Sequence, residues 1–484
     1  MPNQVDSNAL ELKVKHFIEG IKAVQLVAPC TSKNGIHPID QTDKSSWITF
    51  FEDNKHLFSI VKFVPASGAA TRMFKHLLEH HDQTPSSETS DFIENISRFP
   101  FFDQLKETLG EKGYEIGELI QEKKWKLIFN MLLTPAGLNY GHQPKGMIPF
   151  HQYSKEQIRT AFEEHLQEAS DYIKDSENRS KLHFTISPQH LNEVEQFLKI
   201  KTSAIQGETF EIQYSIQSPE TDTPAVNHDN TLFKDEQGRL VHRPAGHGAL
   251  IHNLGRLDED LIYIKNIDNV TTLDQREISV AYKKVIGGML IHLKKKVDEL
   301  LDRMEDGDQG VSVEARAFIR EWFAPEFEST EMDEISSILD RPIRVCGMVK
   351  NQGEPGGGPF WIIDGKGNVS KQIIEKSQVS TSDNGQSAIL AQAEFFNPVD
   401  LVCCIKNRFG EKYHLENFID YSTGFVSEKN YQGKPIKAIE LPGLWNGSMA
   451  YWNTVFVEVP IETFHPVKTV NDLLRKGHRT TYSP

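Results

Sequence analysis

The run Ile60-Val61-Lys62-Phe63-Val64-Pro65-Ala66-Ser67-Gly68-Ala69-Ala70-Thr71-Arg72-Met73-Phe74-Lys75 constrains this chain more than any other. An apolar β-type stretch over 60–64 breaks into small residues over 66–70 and resumes at Thr71 with helix-compatible residues. Small side chains in a strand-to-helix turn let backbone N–H groups approach an anion, and a helix N-terminus adds favourable partial charge. Such turns are common, so the run points to a phosphate site without establishing one.

Strand and helix patterns alternate along the rest of the chain. Residues 8–26 read as an amphipathic helix, and 76–140 as mostly helical with a loop around 82–90. A helix is expected over 154–173, a strand over 182–187, a helix over 189–199 opened by Ser187-Pro188, and a strand over 210–217. Leu261-Ile262-Tyr263-Ile264 is a buried-strand run ending in Lys265-Asn266-Ile267-Asp268-Asn269. A long helix over 272–304 carries Ile278, Ala281, Val285, Met289, Leu293, Val297, Leu300 and Leu301 on one stripe. Strands separated by helices at this spacing predict a largely parallel α/β sheet. From Arg341 the texture changes to short strands and Gly-rich turns.

Bulk properties exclude several classes. A chain of 484 residues is long enough for two or three domains, or for one elaborated domain. With 53 Lys plus Arg against 68 Asp plus Glu, the net charge of −15 argues against a broad nucleic-acid or membrane surface. A local basic pocket remains compatible with it. No apolar run spans a bilayer, and Met-Pro-Asn-Gln-Val-Asp lacks a signal-peptide pattern. Cys30, Cys346, Cys403 and Cys404 show no metal-ligand spacing, and a reduced, cytoplasmic setting is expected.

Further motifs carry polar chemistry. Pro144-Lys145-Gly146 is a loop with a cation. Arg243-Pro244-Ala245-Gly246-His247-Gly248 sets two glycines around a histidine, either a surface turn or a place where backbone approaches a ligand. Asp268 and Asn269 follow the best buried strand, where α/β sheets bind ligands; an Asx turn is the alternative. Phe396-Asn397-Pro398-Val399-Asp400-Leu401 and Phe464-His465-Pro466-Val467-Lys468-Thr469-Val470-Asn471-Asp472-Leu473-Leu474 complete the set. Lys468 taken alone reads as a solvated charge.

Together, in this order, these motifs resemble the UDP-glucose and UDP-N-acetylhexosamine pyrophosphorylase superfamily of sugar nucleotidyltransferases. Its glycine-rich loop, Ala-Gly-Gly-x-Gly-Thr-Arg-Met, is matched by 66–73; its Pro-Lys loop by Pro144-Lys145; and its Pro-Gly-His-Gly motif by 244–248. Its Asn-x-Asp-Asn strand end is matched by Asn266, Asp268 and Asn269, and its Phe-Asn-Thr-Asn-Asn-Leu motif partly by 396–401. Its Phe-x-Pro-Val-Lys-Thr-x-x-Asp-Leu-Leu motif is matched residue for residue from Phe464. The resemblance covers about 60–475, and the chain resembles more closely a bacterial family known as domain of unknown function 4301.

The resemblance implies a glycosyltransferase-A-type, Rossmann-like α/β fold: a mixed sheet flanked by helices, with a helical insertion and a β-rich C-terminal part. It implies a helical brace over 1–55, a nucleotide-binding core over 56–335 with the insertion at 76–140, and a part over 336–484 that completes the site. The implied reaction joins a nucleoside triphosphate, UTP by default, to a sugar 1-phosphate with release of pyrophosphate. Ser67, Gly68, Ala69, Thr71, Gly246 and His247 would bind nucleotide and phosphate. Arg72, Lys145 and Lys468 would be catalytic, Asn269 and Asn397 would bind sugar, and Asp268 would hold Mg²⁺. No nucleic-acid or membrane partner is expected.

Several departures bear on activity. Ser67 and Ala70 stand where the family has glycine, and each added side chain restricts the backbone. Pro398, Val399 and Asp400 replace Thr-Asn-Asn, which puts the sugar contacts in question, with Asp400 a second metal ligand or a structural group. Lys75 is an alternative to Lys145. A non-catalytic nucleotide-sugar-binding or regulatory protein on the same fold is the alternative function. Gly353–Gly358 precedes a strand pattern and reads as a hairpin or lid. His76, His80 and His81 lack a third ligand, and Lys294-Lys295-Lys296 reads as solvated surface.

Overall fold

The computed structural model describes residues 23–79, 85–354, 356–364 and 367–482. They form two compact units built from interleaved segments. The first comprises Met1–Ile60, Gln217–Tyr263 and Lys284–Pro460; the second comprises Val61–Ile216, Ile264–Lys283 and Ile461–Pro484.

In the second unit the strand Ile60–Pro65 runs parallel to Arg179–Thr185, which runs parallel to Thr209–Ser215. Helix Leu191–Ser203 crosses over between the last two, as a parallel connection requires. Helix Ala161–Ser170 packs on this sheet through Phe162, whose ring meets Phe184 edge-on at 5.0 Å. It starts later than the 154–173 pattern suggests, because Ile158–Thr160 pairs with Pro149–Gln152 and Thr160 then closes a capping box with Glu163.

The 76–140 segment is helical as expected, in short pieces: Ser87–Glu94, Phe102–Glu111, Ile116–Gln121 and Trp125–Leu133. An aromatic core binds them together. Phe99 stacks on Phe101 at 5.3 Å, and Phe74, just after the small-residue loop, stacks on Tyr140 at 6.3 Å. Each such pair adds about 0.5–1.5 kcal/mol beyond area burial, so the insertion buttresses the loop that precedes it.

In the first unit the strand order is Ile36–His37, Asn453–Glu458, Ile343–Lys350, Phe395–Cys404, Leu261–Ile264. Ile343–Lys350 runs parallel to Asn453–Glu458 and antiparallel to Phe395–Cys404. The sheet is therefore mixed, as the resemblance implies, with Phe395–Cys404 antiparallel to its neighbour Ile343–Lys350 and most of the other pairings parallel. Cys403 and Cys404 are buried on it as free thiols. A second sheet pairs Gln25–Pro29 with Gly358–Ile363 and Val369–Ile374 over a core of Leu26, Phe360, Ile362, Ile374 and Val379.

Some local expectations change. Most of the 8–26 helix falls outside the described residues, and Gln25–Pro29 at its end is a strand, held by the Gln386 amide on both backbone groups of Leu26. The long helix is Leu273–Glu305, with its apolar stripe buried from Val285 onward and Ile278 exposed. Lys294 is not solvated surface: it is buried and paired with Asp298, whereas Lys296 pairs with Glu299 and Glu314. His76 bonds Thr89 at 3.2 Å, and His80 and His81 lie outside the described residues. Gly358–Ile363 is a strand, but the glycines before it do not form a hairpin: they link Ile343–Lys350 to a strand of another sheet, because Gly358–Ile363 pairs with Gln25–Pro29 and Val369–Ile374. Among the described residues no helix is long and apolar enough to cross a membrane.

Candidate functional site

The small-residue loop leaves its strand with Ala66 N–H donating to Thr185 O at 3.0 Å. Three bonds then fix it against the Pro-Lys loop: Lys145 N–H to Gly68 O at 3.1 Å, Ala70 N–H to Gln143 O at 3.0 Å, and Thr71 Oγ1 to Gly141 O at 3.1 Å. Ser67, Gly68 and Ala69 are exposed, and their N–H groups take no part in these bonds. None of the residues over 66–74 has a positive φ, and a Cβ on Gly68 would meet nothing within 4 Å. Ser67 and Ala70 therefore fit where the resemblance has glycines, without backbone strain. The helix beyond is slight, a 3₁₀ turn over Ala70–Arg72 and then Lys75–Leu78, so the expected helix dipole shrinks to about a turn. Arg72 is exposed, and Lys75 pairs loosely with Glu79 at 3.7 Å.

Lys145, Asp268 and Lys468 meet in the second unit. Lys145 Nζ donates to Asp268 Oδ2 at 2.7 Å, and Lys468 Nζ donates to the same oxygen at 3.0 Å. Burial by itself would raise the Asp268 carboxyl, but the two ammonium groups hold it below its ordinary value. Burial lowers Lys145, against the pull of Asp268. Lys468 is 65% exposed, whereas Lys145 and Asp268 are 12% and 9% exposed, so one cation reaches solvent and the other is set.

The C-terminal segment is latched in place. Val467 N–H donates to Asp268 O at 3.1 Å, and His465 N–H donates to Asn269 Oδ1 at 2.8 Å. Asn269 Nδ2 reaches Thr463 O at 3.5 Å, so Asn269, expected at the sugar, is a buried latch on the Lys468 segment. Asp472 Oδ2 accepts from the N–H groups of Lys468 and Thr469, both at 2.7 Å, closing a capping box.

One helix sets both strand ends. Glu168 Oε2 accepts from Lys62 Nζ at 2.6 Å, and Oε1 accepts from Lys265 Nζ at 2.6 Å. Lys62 lies on the strand that feeds the Ser67 loop, and Lys265 lies just before Asp268. His165, one turn earlier on the helix, bonds Ile267 O through Nε2 at 3.2 Å. Lys283 adds a third buried cation, 3.9 Å from Glu168 Oε2. Burial alone would raise the Glu168 carboxyl, and Lys265, Lys283 and Lys62 hold it well below the usual carboxylate range. A lysine inside a strand and a glutamate inside a helix read as ordinary surface residues in the sequence; only their tertiary pairing reveals the bracket.

A second polar cluster lies in the first unit. Asn397 Nδ2 and Asn446 Nδ2 both donate to Glu375 Oε1, at 2.9 and 3.3 Å. Their own carbonyl oxygens, Asn397 Oδ1 and Asn446 Oδ1, are buried without a partner among the described residues. His247 stacks on Trp445 at 5.1 Å and accepts from Leu444 N–H at Nδ1 (3.2 Å), which leaves its proton on Nε2. Burial keeps this ring below its ordinary pKa, hence neutral. Gly246 has φ +77°, and a Cβ there would meet Glu440 Oε2 at 2.7 Å, so only glycine suits. A carboxylate, two amides whose carbonyl oxygens lack a partner among the described residues and a stacked ring pair form a compact polar cluster. Glu375 and Asn446 were missed in the sequence; a glutamate at the end of the Val369–Ile374 strand and an Asn in the Trp445-Asn446-Gly447 turn were the signals.

Asp268 Oδ2 serves both lysines, and Oδ1 is the donor that could face a metal. No three His, Cys, Asp or Glu side chains among the described residues are grouped to hold an ion. A magnesium ion here would take most of its ligands from phosphate and water, with Asp268 Oδ1 as the protein oxygen left to it.

The profile of DUF4301, a domain of unknown function, matches residues 2–479. The chain belongs to the DUF4301 family. No curated protein matches it. Among solved structures, this DUF4301 chain is similar to the uridine diphosphate N-acetylglucosamine pyrophosphorylase of Trypanosoma brucei, with a TM-score of 0.52 at 13% identity, over 97% of this chain and 74% of that one. A mutant UDP-glucose pyrophosphorylase of Leishmania major gives a TM-score of 0.47 at 13% identity, over 99% and 76%. The first likeness gives the DUF4301 chain the fold of a sugar-nucleotide pyrophosphorylase.

Proposed function

We propose that this DUF4301 protein is a sugar-1-phosphate nucleotidyltransferase, with UTP the default nucleotide. The observation that carries the reading is the pair of lysines on one buried carboxylate, with the exposed loop residues Ser67, Gly68 and Ala69 in the same unit. Phosphate oxygens arriving there would draw the exposed Lys468 from Asp268, while Lys145 stays on the carboxylate, so that no buried charge is left unpaired. A phosphate oxygen of the sugar 1-phosphate attacks the α-phosphorus, and the bond to pyrophosphate breaks with its electron pair on the leaving oxygen. Two anions must be brought together, so the protein works by positioning and charge neutralisation. Lys145 and Arg72 act on the triphosphate, and Lys468 acts on the phosphate bridge. Asp268 Oδ1 would hold Mg²⁺, which when bound supplies further neutralisation.

A pyrophosphate-release assay with the common nucleoside triphosphates and a panel of sugar 1-phosphates tests the proposal. Release that requires both substrates supports it. Nucleotide binding without release under any pair would leave a binding protein instead.

A further inference from the structure

Two buried histidines, His151 and His478, form a chain of hydrogen bonds whose proton count does not close with neutral rings. His151 Nδ1 lies 2.9 Å from Glu164 Oε1, His151 Nε2 lies 2.9 Å from His478 Nδ1, and His478 Nε2 lies 3.0 Å from the carbonyl oxygen of His465. The two ends of this chain, a carboxylate and a carbonyl, can only accept. Each of the three contacts therefore needs its own proton, whereas two neutral imidazoles carry one each. We propose that His151 is an imidazolium held between Glu164 and His478, and that this charged relay positions the segment carrying Lys468.

The assignment between the rings follows from the acceptors. With both His151 nitrogens protonated, His478 accepts at Nδ1 and donates from Nε2 to His465 O. His478 itself stays neutral: burial, and then His151, hold it well below its ordinary value. Arg159 NH1 and Arg276 NH1 stand 3.7 and 3.6 Å from the other Glu164 oxygen, and Tyr153 Oη donates to Oε1 at 2.8 Å. Asp171 pairs with Arg276 at 2.6 Å, while the His465 ring and Arg475 face His478. Glu164 thus keeps its charge, below its ordinary pKa despite burial, because His151 and then Arg159 outweigh the desolvation.

The relay reaches the proposed phosphate site through the backbone. His465, whose carbonyl ends the chain, lies three residues before Lys468, and its own N–H is held by Asn269. Gly477, next to His478, accepts from Thr271 Oγ1 at 2.7 Å and from Thr272 N–H at 3.1 Å. A Cβ on Gly477 would lie 2.1 Å from His465 Nδ1, so the turn closes against that ring. Loss of the extra proton as pH rises removes one of the three bonds and loosens this turn.

The consequence for substrate rests on the role proposed for Lys468, but the proton count does not, so each can fail separately. The test is two-bond ¹H–¹⁵N correlation of the full chain labelled at its histidines, from pH 6 to 9. The expected result at pH 7 is one imidazolium that disappears in His151→Gln. In Glu164→Gln, which needs no His151 variant to fold, its proton leaves at lower pH than in the wild type. Exchange of the Val467 amide, corrected for base catalysis, should rise as that proton leaves. Neutral rings at both positions at pH 7, or Val467 exchange indifferent to the proton, overturns the proposal.

Discussion

Lys145 and Lys468 donate to one and the same oxygen, Asp268 Oδ2, at 2.7 and 3.0 Å. One lysine comes from a loop tied to the small-residue turn, the other from the C-terminal segment. Their difference in exposure, 12% against 65%, suggests different roles. The buried lysine is fixed in place, and the exposed one can swing toward a ligand.

Lys468→Ala should therefore lower turnover by about 10²–10³-fold, the cost of losing one preorganised charge at a developing anion. Nucleotide affinity, read by calorimetry, should fall far less. Equal losses in both would count against its assigned role at the transition state.

Asp268→Asn removes the shared partner of the two lysines. Turnover should be abolished, whereas metal-free binding of nucleoside triphosphate should be as tight as in the wild type or tighter. Weaker metal-free binding would mean that Asp268 orients the lysines and does not compete with phosphate.

Glu168→Gln takes the shared carboxylate from three buried ammonium groups, Lys62, Lys265 and Lys283. Breaking a buried pair costs about 3–5 kcal/mol, so the denaturant midpoint should drop sharply. Lys62→Met in the same chain should restore part of the loss, because one of the three uncompensated buried charges is gone. A midpoint unchanged in Glu168→Gln would remove the bracket from the account.

Lys62 also fixes a pH dependence. Burial, only partly opposed by Glu168, lowers its ammonium from 10.5 to about 7. Between those values the unfolded chain holds the proton and the folded chain releases it, so Lys62 makes folding more favourable as pH rises through that window. The stability difference between wild type and Lys62→Met, from urea unfolding, should shift toward the wild type between pH 7 and pH 10. A constant difference would contradict the lowered value.

Much of this was legible in the sequence, for physical reasons that differ by motif. The strand Leu261–Ile264 and the helix Leu273–Glu305 were readable because burial imposes a local pattern on contiguous residues. Lys145 and Lys468 were found through short motifs, and the insertion between Gly68 and Lys145 hid their meeting until the aromatic core around Phe99 and Tyr140 was seen to fold it away. The latch made by Asn269 was not legible, because an amide that holds backbone and one that binds a ligand look alike in sequence. Glu168 and His478 left no usable pattern, since each gains its meaning from partners far away in the chain.

The most direct measurement is the reverse reaction: formation of nucleoside triphosphate from a UDP-sugar and pyrophosphate, with Mg²⁺, in the wild type and in Lys468→Ala. The account predicts triphosphate formation that needs both substrates and falls at least about 10²-fold in the variant. A wild-type chain that binds UDP-sugar yet forms no triphosphate across a range of sugars, or a variant as active as the wild type, would contradict it.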